Sequence, residues 1–524
     1  MFSTKALDQA SMKDIQLLNW NANGIKNKRL MLLEFLHRSK IDVACITETH
    51  LLESDKFRLK GFQIYRKDSN IRRAGGAAIL VRRGLIHNEL PLLNTTHLEA
   101  IGIKVYTMNS TWVKIVSAYL KPRHNLLPSD LNEIFTASPA ILVGDLNAKN
   151  IIWGCRKSNK NGKVLHSYCE QFGVLVCAPD QPTFYPTQQN YQPDILDICV
   201  HQLLTVPIFQ VPLPELDSDH LPVIIKFNHP PSYIKPIPPL IRGKVDWDSF
   251  RAEINKNLSI RTQFSNTDEI ETAALDFTAL IDQSIQKSTF KHNADPRSSH
   301  RTEKMPERIL ILINEKRNAR RTWQRYRRPE DRRRFNHLIK KVRFEIEKYT
   351  YENYSQFIEN INPADGSLWR ETKRILQIHS PIPSLTLGDQ IAETPADKAE
   401  LLADHFKNIF RPNSSPSSFT IPESFTTIEE QIPEATYFVT PKEVQSIVNK
   451  LPTRKAPGED KIPNLVIKNL PRKGIIGLVS LFNECIRKRY FPTIWKNAII
   501  IVVHKSGKPK NSPSSYRPIS LLCT

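Results

Sequence analysis

Six short stretches between Trp20 and His220 set chemistry-bearing side chains at the ends of apolar runs. They are WNANG (20–24), ITETHL (46–51), SAYLKP (117–122), VGDLNA (143–148), DILDICV (194–200) and DSDH (217–220). Carboxylates, carboxamides, a phenol and an imidazole in one region are what a metal site or a proton-transfer centre draws on. Asp197 is the most telling of them, because a carboxylate inside an otherwise apolar strand is costly unless it is paired or metal-bound. Each stretch alone has a bland reading: GDLN as a hairpin turn, ETH as a strand end, SDH as a helix cap. Six together in this order leave little room for coincidence.

The elements that must position these residues are legible from periodicity. IDVACIT, GAAILV, WVKIVSAYL, AILVGDL and DILDICV read as buried strands, too short and too β-branched for helices. NKRLMLLEFLHRSK, between the first two, carries helical spacing at Leu30, Leu33 and Leu36. Several strands with few long helices predict an α/β sandwich over 14–228. The pair Gly75–Gly76 lacks the Lys and Ser/Thr of a phosphate loop and leads into a strand, so close strand packing is the better reading. Trp153 reads as core.

A proline-rich linker follows at 229–245, where five prolines between Pro230 and Pro239 deny the chain a helix or an inner strand. Segment 246–378 is helical in pattern and basic, with a net charge of +10 over 301–350 (17 Lys+Arg less 7 Asp+Glu). Pro329 splits two helices, and the second sets Phe335, Leu338, Val342, Ile346 and Tyr349 on one stripe. Arg332, Arg333 and Arg334 of this hairpin are candidate nucleic-acid contacts. A Pro/Ser-rich joint with a short helix is expected over 379–439, and a further unit from 440 to 524.

With 74 Lys+Arg against 53 Asp+Glu, the 524-residue chain carries a net charge of +21, which calls for a polyanionic partner, nucleic acid before membrane. A composition of 40% hydrophobic and 24% charged residues excludes wholesale disorder, collagen-like and coiled-coil architectures. The apolar run Ala498–Val503 is far short of the ~20 residues that span a bilayer. No signal peptide is evident, and the seven scattered cysteines suit reduced thiols, so the nucleus and cytoplasm are the expected compartments.

The order Asn, Glu, Tyr, Asp-x-Asn, Asp, Ser-Asp-His resembles the endonuclease/exonuclease/phosphatase superfamily. Within it, WNANGI, TETHL and GDLNA are similar to the apurinic-type endonuclease of non-LTR, jockey-like retrotransposons. The resemblance implies a four-layer α/β sandwich and nicking of target DNA by phosphodiester hydrolysis, leaving a 3′-OH that primes reverse transcription of the element RNA. It implies that Glu48, with Asn21 and Asp219, holds Mg²⁺, with Mn²⁺ as a substitute, since hard oxygen donors suit a hard cation. Asp145 would orient and deprotonate the attacking water with Asn147. His220, held by Asp197, and Tyr119 would contact the phosphate. Ser218 would support the SDH turn, and Thr183 would lie near the DNA-binding edge.

Residues 450–524, with KLPTRKAPGEDKIP, HKSGKPK and SYRPISLL, resemble the start of the reverse transcriptase domain of the same family. Lys505, Lys508 and Arg517 would meet template or nucleotide there. No Asp-Asp dipeptide occurs in the chain, so an incomplete polymerase without its paired palm aspartates is expected, with no polymerase activity of its own. Two other readings stay open. One is an abasic-site repair nuclease or another phosphodiesterase of the superfamily; the other is a decayed element that only binds nucleic acid.

Overall fold

The computed structural model describes residues 14–523, except 70–73, 137–139, 189–190, 203–207, 235–239, 242–244, 290–304, 364–366, 377–381, 412–437 and 454. The chain forms two compact units. The first comprises Met1–Lys235, His300–Ser384 and Glu393–Pro395, and the second Pro236–Ser299, Leu385–Ala392 and Ala396–Thr524.

Two six-stranded sheets build the first unit. One contains β1 (Ile15–Asn21), β2 (Val43–Thr47), β3 (Phe62–Lys67), β4 (Ala77–Arg82), β11 (Ile208–Pro212) and β12 (Val223–Phe227), in the order β11-β12-β1-β2-β4-β3. The other contains β5 (His87–Glu89), β6 (Leu98–Tyr106), β7 (Trp112–Leu120), β8 (Ala140–Asp145), β9 (Leu175–Cys177) and β10 (Asp197–His201), in the order β5-β6-β7-β8-β10-β9. Central strands such as VACIT and AILVGD are buried at every position. That is why they read as unbroken apolar runs: both faces of each sheet are covered.

Between the sheets lies a core of Leu17, Val43, Ile79, Val81, Ile103, Ile115, Ile141, Val143 and Cys199. The outer face of the second sheet is covered by α2 (Pro128–Phe135) and α3 (Lys160–Phe172), through Leu131, Ile134 and Leu165. The outer face of the first sheet packs on α1 (Arg29–Arg38) through Leu32, Phe35 and Leu36. The result is a four-layer α/β sandwich. The Gly75 and Gly76 carbonyls accept from the His50 and Thr49 amides and so brace the loop after β2. Trp153 lies in the core of the second outer layer.

The basic segment expected as one helical connector is divided between the units. Its first part, α4 (Trp247–Asn257) and α5 (Thr267–Ser288), shares a core with Val444, Val448, Val466, Ile475 and Val479 in the second unit. Its later part, α6 (Glu307–Tyr326) and α7 (Pro329–Glu359), belongs to the first unit, where Ile309, Ile313, Val342 and Ile346 join the α1 layer. The reason is the apolar stripe itself. Phe335, Leu338, Val342 and Ile346 are buried as the spacing predicts, and a stripe of that width needs a surface to cover it. The linker prolines 236, 238 and 239 and residues 379–381 and 412–437 of the Pro/Ser-rich joint lie outside the described residues.

In the second unit, the helix Pro441–Lys450 opens with a reciprocal capping box between Thr440 and Glu443. Ala498–His504 and Tyr516–Leu522 pair as a two-stranded hairpin, with Ile499, Ile500, Ile501 and Val503 exposed. Among the described residues no helix is long and apolar enough to cross a membrane.

Candidate active site

Strand register in the second sheet aligns three of the functional side chains. Tyr119 on β7 lies opposite Asp145 on β8, and Asp145 lies opposite Asp197 on β10. Neighbouring strands are about 4.8 Å apart, so phenol and carboxylates form a row across the sheet end. Gly144 makes this packing possible. Its φ is +149°, and a Cβ there would sit 1.9 Å from the Ala118 carbonyl oxygen of β7. Beyond Asp145 the chain turns sharply, with Asn147 at φ +45° and its amide donating to Asp145 Oδ1 at 3.0 Å. The Asn147 carboxamide is itself anchored on the Leu120 carbonyl at 2.8 Å.

The first sheet delivers the facing residues. Asn21 ends β1 beside Thr47 of β2, and Glu48 follows in a left-handed conformation at φ +47°. Asn21 Nδ2 donates to Glu48 Oε1 at 2.8 Å and to Asp145 Oδ2 at 3.0 Å, so two carboxylates converge on one nitrogen. His220 stands just before β12. Its Nδ1 lies 2.8 Å from Asp197 Oδ2 and its Nε2 3.7 Å from Asp145 Oδ2. With Asp197 accepting at Nδ1, Nε2 faces the row, and the Phe184 ring covers the imidazole at 4.8 Å between centroids. The Ser218 hydroxyl accepts from the His220 amide, closing the SDH turn.

Burial, together with Asp197 and Glu48, raises the Asp145 carboxyl above the usual carboxylate range against the opposing pull of His220. For His220, burial favours the neutral ring, but Asp197, in direct hydrogen bond, and Asp145 outweigh it and hold the imidazole protonated well above its ordinary range. Burial and the neighbouring Glu48 and Asp145 charges keep Tyr119 a phenol, a donor and not a phenolate. Such a centre can accept a proton at Asp145 while offering positive charge and O–H and N–H donors to an anion. Among the described residues no three His, Cys, Asp or Glu side chains gather as a metal cage. The Glu48 and Asp145 carboxylates nevertheless place hard oxygens on either side of the Asn21 amide nitrogen.

Asn21, Glu48, Tyr119, Asp145, Asn147, Asp197 and His220 are thus brought together. Asp219 is held to one side, accepting from Asn23 Nδ2 at 3.1 Å. Thr183, expected near the DNA-binding edge, is fully buried; its hydroxyl accepts from the amides of Leu196 and Asp197 and so fixes the start of β10. Arg332 is tied to the Thr187 carbonyl at 2.7 Å, whereas Arg333 and Arg334 are exposed. Lys505, Lys508 and Arg517 lie in the 498–522 hairpin of the second unit, Lys505 bonding the Ser514 carbonyl.

Three neighbours were missed in the sequence. His50 Nε2 lies 3.4 Å from Glu48 Oε2, Asn23 holds Asp219, and Lys28 donates to the Asn23 carbonyl at 3.0 Å. The first two stand inside the WNANG and ITETHL stretches, which was the available signal; Lys28 had none.

Residues 113–224, which hold Tyr119, Asp145, Asp197 and His220, match a family model described as "Endonuclease-reverse transcriptase". The probable RNA-directed DNA polymerase from transposon BS of Drosophila melanogaster is 28% identical over 98% of this chain and 57% of its own length. The RNA-directed DNA polymerase from mobile element jockey of the same species is 29% identical over 96% of this chain and 56% of its own. The chain is similar to jockey-like non-LTR retrotransposon proteins over nearly its whole length. It spans little more than half the length of these relatives, and both units fall within the matched region. The first unit, two packed sheets with helices outside, has the endonuclease/exonuclease/phosphatase fold. Among solved structures, the endonuclease domain of TRAS1, a telomere-specific non-LTR retrotransposon, aligns with 41% of this chain and 98% of that domain at 19% identity and a TM-score of 0.36.

Proposed function

We propose that the first unit is a divalent-metal-dependent DNA endonuclease that nicks target DNA and leaves a 3′-OH from which the element's RNA is reverse transcribed. The observation that carries the reading is the row Tyr119–Asp145–Asp197, with His220 bonded to Asp197 and Asn21 bridging Asp145 to Glu48. Asp145 orients the attacking water and takes its proton, and burial makes it a better base than a free carboxylate. Asn147, fixed by the turn, holds the same water. Charged His220 and the Tyr119 phenol stabilise the negative charge that grows on the phosphoryl oxygens.

The donor chemistry fits a hard cation. Of the expected set Glu48, Asn21 and Asp219, the Glu48 carboxylate would hold Mg²⁺ or Mn²⁺, few protein oxygens and several waters being the usual Mg²⁺ arrangement. Asn21 turns its nitrogen to Glu48, and Asp219 is bonded to Asn23. When bound, the cation supplies Lewis-acid stabilisation of phosphoryl charge. The second unit, with Lys505, Lys508 and Arg517 on its hairpin, supplies the beginning of a reverse transcriptase, and target DNA and element RNA are the partners.

The test is nicking of supercoiled plasmid by the purified chain. Nicks should form with Mg²⁺ and not with EDTA, should be extendable by an added DNA polymerase, and should vanish in Asp145→Ala with DNA binding retained. Cutting only at abasic sites would favour a repair nuclease, and a gel shift without any cutting would favour a binding protein.

A further inference from the structure

The helix α6 reaches the candidate active site through one buried guanidinium. Arg320 is 1% exposed. Its Nη1 donates to the carbonyls of Glu215, at 2.7 Å, and Leu216, and its Nη2 to those of Ser218, at 2.7 Å, and His220, at 3.4 Å. One turn earlier on the same helix face, buried Lys316 pairs with Asp217 Oδ1 at 2.9 Å. Arg317 of the same helix pairs with Glu215 Oε2 at 2.8 Å, so four backbone carbonyls and two carboxylates of the run 215–220 are held from a single helix.

This run has no ladder of its own to satisfy its carbonyls, and Leu216 sits at φ +53°. A buried carbonyl left without a partner costs about 1–3 kcal/mol, so an irregular loop at this depth needs an outside donor. The rigid guanidinium fork can serve several acceptors at once, which a lysine ammonium on a flexible stem cannot do in the same geometry. Desolvating Arg320 is costly, and the surrounding Asp217, Asp219 and Glu215 offset that cost.

A second clasp sits at the hairpin tip. Arg327 donates to the Pro186 carbonyl at 2.8 Å and Arg332 to that of Thr187 at 2.7 Å. These carbonyls follow Thr183–Tyr185, a segment bonded directly to the His220 loop: Tyr185 N donates to the Asp219 carbonyl and Leu221 N to that of Thr183. Both backbone segments flanking the His220 ring are thus fastened to α6–α7.

We infer that Arg320 is a positioning residue of the nuclease, holding the Ser218–His220 turn so that His220 stays seated on Asp197. The inference rests on the proposed nicking activity for its rate prediction. It makes the α6–α7 hairpin a working part of the nuclease unit and not a spacer before the next unit.

The test uses the full chain with Arg320→Met, which keeps the length and apolar stem, Arg320→Lys, which keeps the charge, and Ile313→Ala, which weakens the same helix only through apolar packing. A displacement near 1 Å at a reacting group can cost about 10²-fold in rate, and Arg320→Met should slow single-turnover nicking by roughly that factor. Duplex affinity measured in EDTA should be unchanged, and amide hydrogen exchange over 215–221 should accelerate. Arg320→Lys should recover part of the rate. Ile313→Ala should lower the melting temperature yet nick at the wild-type rate below its melt. A folded Arg320→Met that nicks normally, or that leaves exchange over 215–221 unchanged, overturns the inference. Should Arg320→Met not fold, wild-type rate and exchange in folded Arg320→Lys overturn it equally. If the wild-type chain cuts nothing, the nuclease reading fails, and the exchange experiment still decides whether Arg320 holds the loop.

Discussion

Asp197→Asn isolates what the buried carboxylate does for His220. The two side chains meet at 2.8 Å with both groups buried, so little water competes for the contact. A charge-assisted hydrogen bond of this kind contributes about 1.5–3 kcal/mol, against about 1 for a neutral one. The substitution preserves volume, and among the described residues Asp197 Oδ1 has no hydrogen-bond partner to lose. Folding should survive, while imidazolium stabilisation of the phosphoryl charge should weaken. Asn keeps a neutral bond, so about 0.5–2 kcal/mol is lost, and at 1.36 kcal/mol per factor of ten the nicking rate should fall roughly 2- to 30-fold. The assay is single-turnover nicking at saturating Mg²⁺, with duplex affinity measured separately in EDTA. His220→Ala alone should cost about 10²–10³-fold. Because Asp197 acts through His220, the double variant should be no slower than His220→Ala. A double variant slower by the full Asp197 factor, or an Asp197→Asn protein nicking at the wild-type rate, would refute the reasoning.

Three further outcomes are expected. Glu48→Gln should shift the Mg²⁺ dependence of nicking to higher concentration, with activity recovering in excess metal; failure to recover removes Glu48 from cation binding. Gly144→Ala should destabilise the first unit by about 1–3 kcal/mol, since its methyl group would overlap the Ala118 carbonyl, and should abolish nicking; a urea melt following the first unit's aromatic fluorescence checks it. Replacing exposed Arg333 and Arg334 with Gln should reduce the slope of log K against log salt on duplex DNA by about 1.8, at 0.9 per phosphate contact, and an unchanged slope would make these arginines a solvated surface.

Most of the candidate site could be read before any coordinates, because its residues stand at the ends of strands that announce themselves. VACIT, WVKIVSAYL and AILVGD are apolar enough to be placed by eye, and each delivers its polar residue at a predictable end. The stripe Phe335–Leu338–Val342–Ile346 was equally plain. Periodicity says which face of an element is buried, but not what buries it. That limit explains the fate of the helices of 246–378, which the helical pattern groups into one segment and the fold splits between two cores.

Thr183 shows the same limit at one residue: its type does not reveal that its hydroxyl is spent on two backbone amides of β10. Arg320 shows the converse. In a helix holding many arginines nothing marks this one, and only the seating of α6 beside residues 215–220 turns a surface-type side chain into a buried clamp. The amino-acid sequence by itself determined the strands, the stripe of α7 and the residue types offered at the strand ends, since these follow from local pattern and side-chain chemistry. The register that aligns Tyr119, Asp145 and Asp197, and the helix that holds His220 in place, were decided by tertiary structure. Both depend on contacts between residues far apart in the chain, which no local pattern encodes.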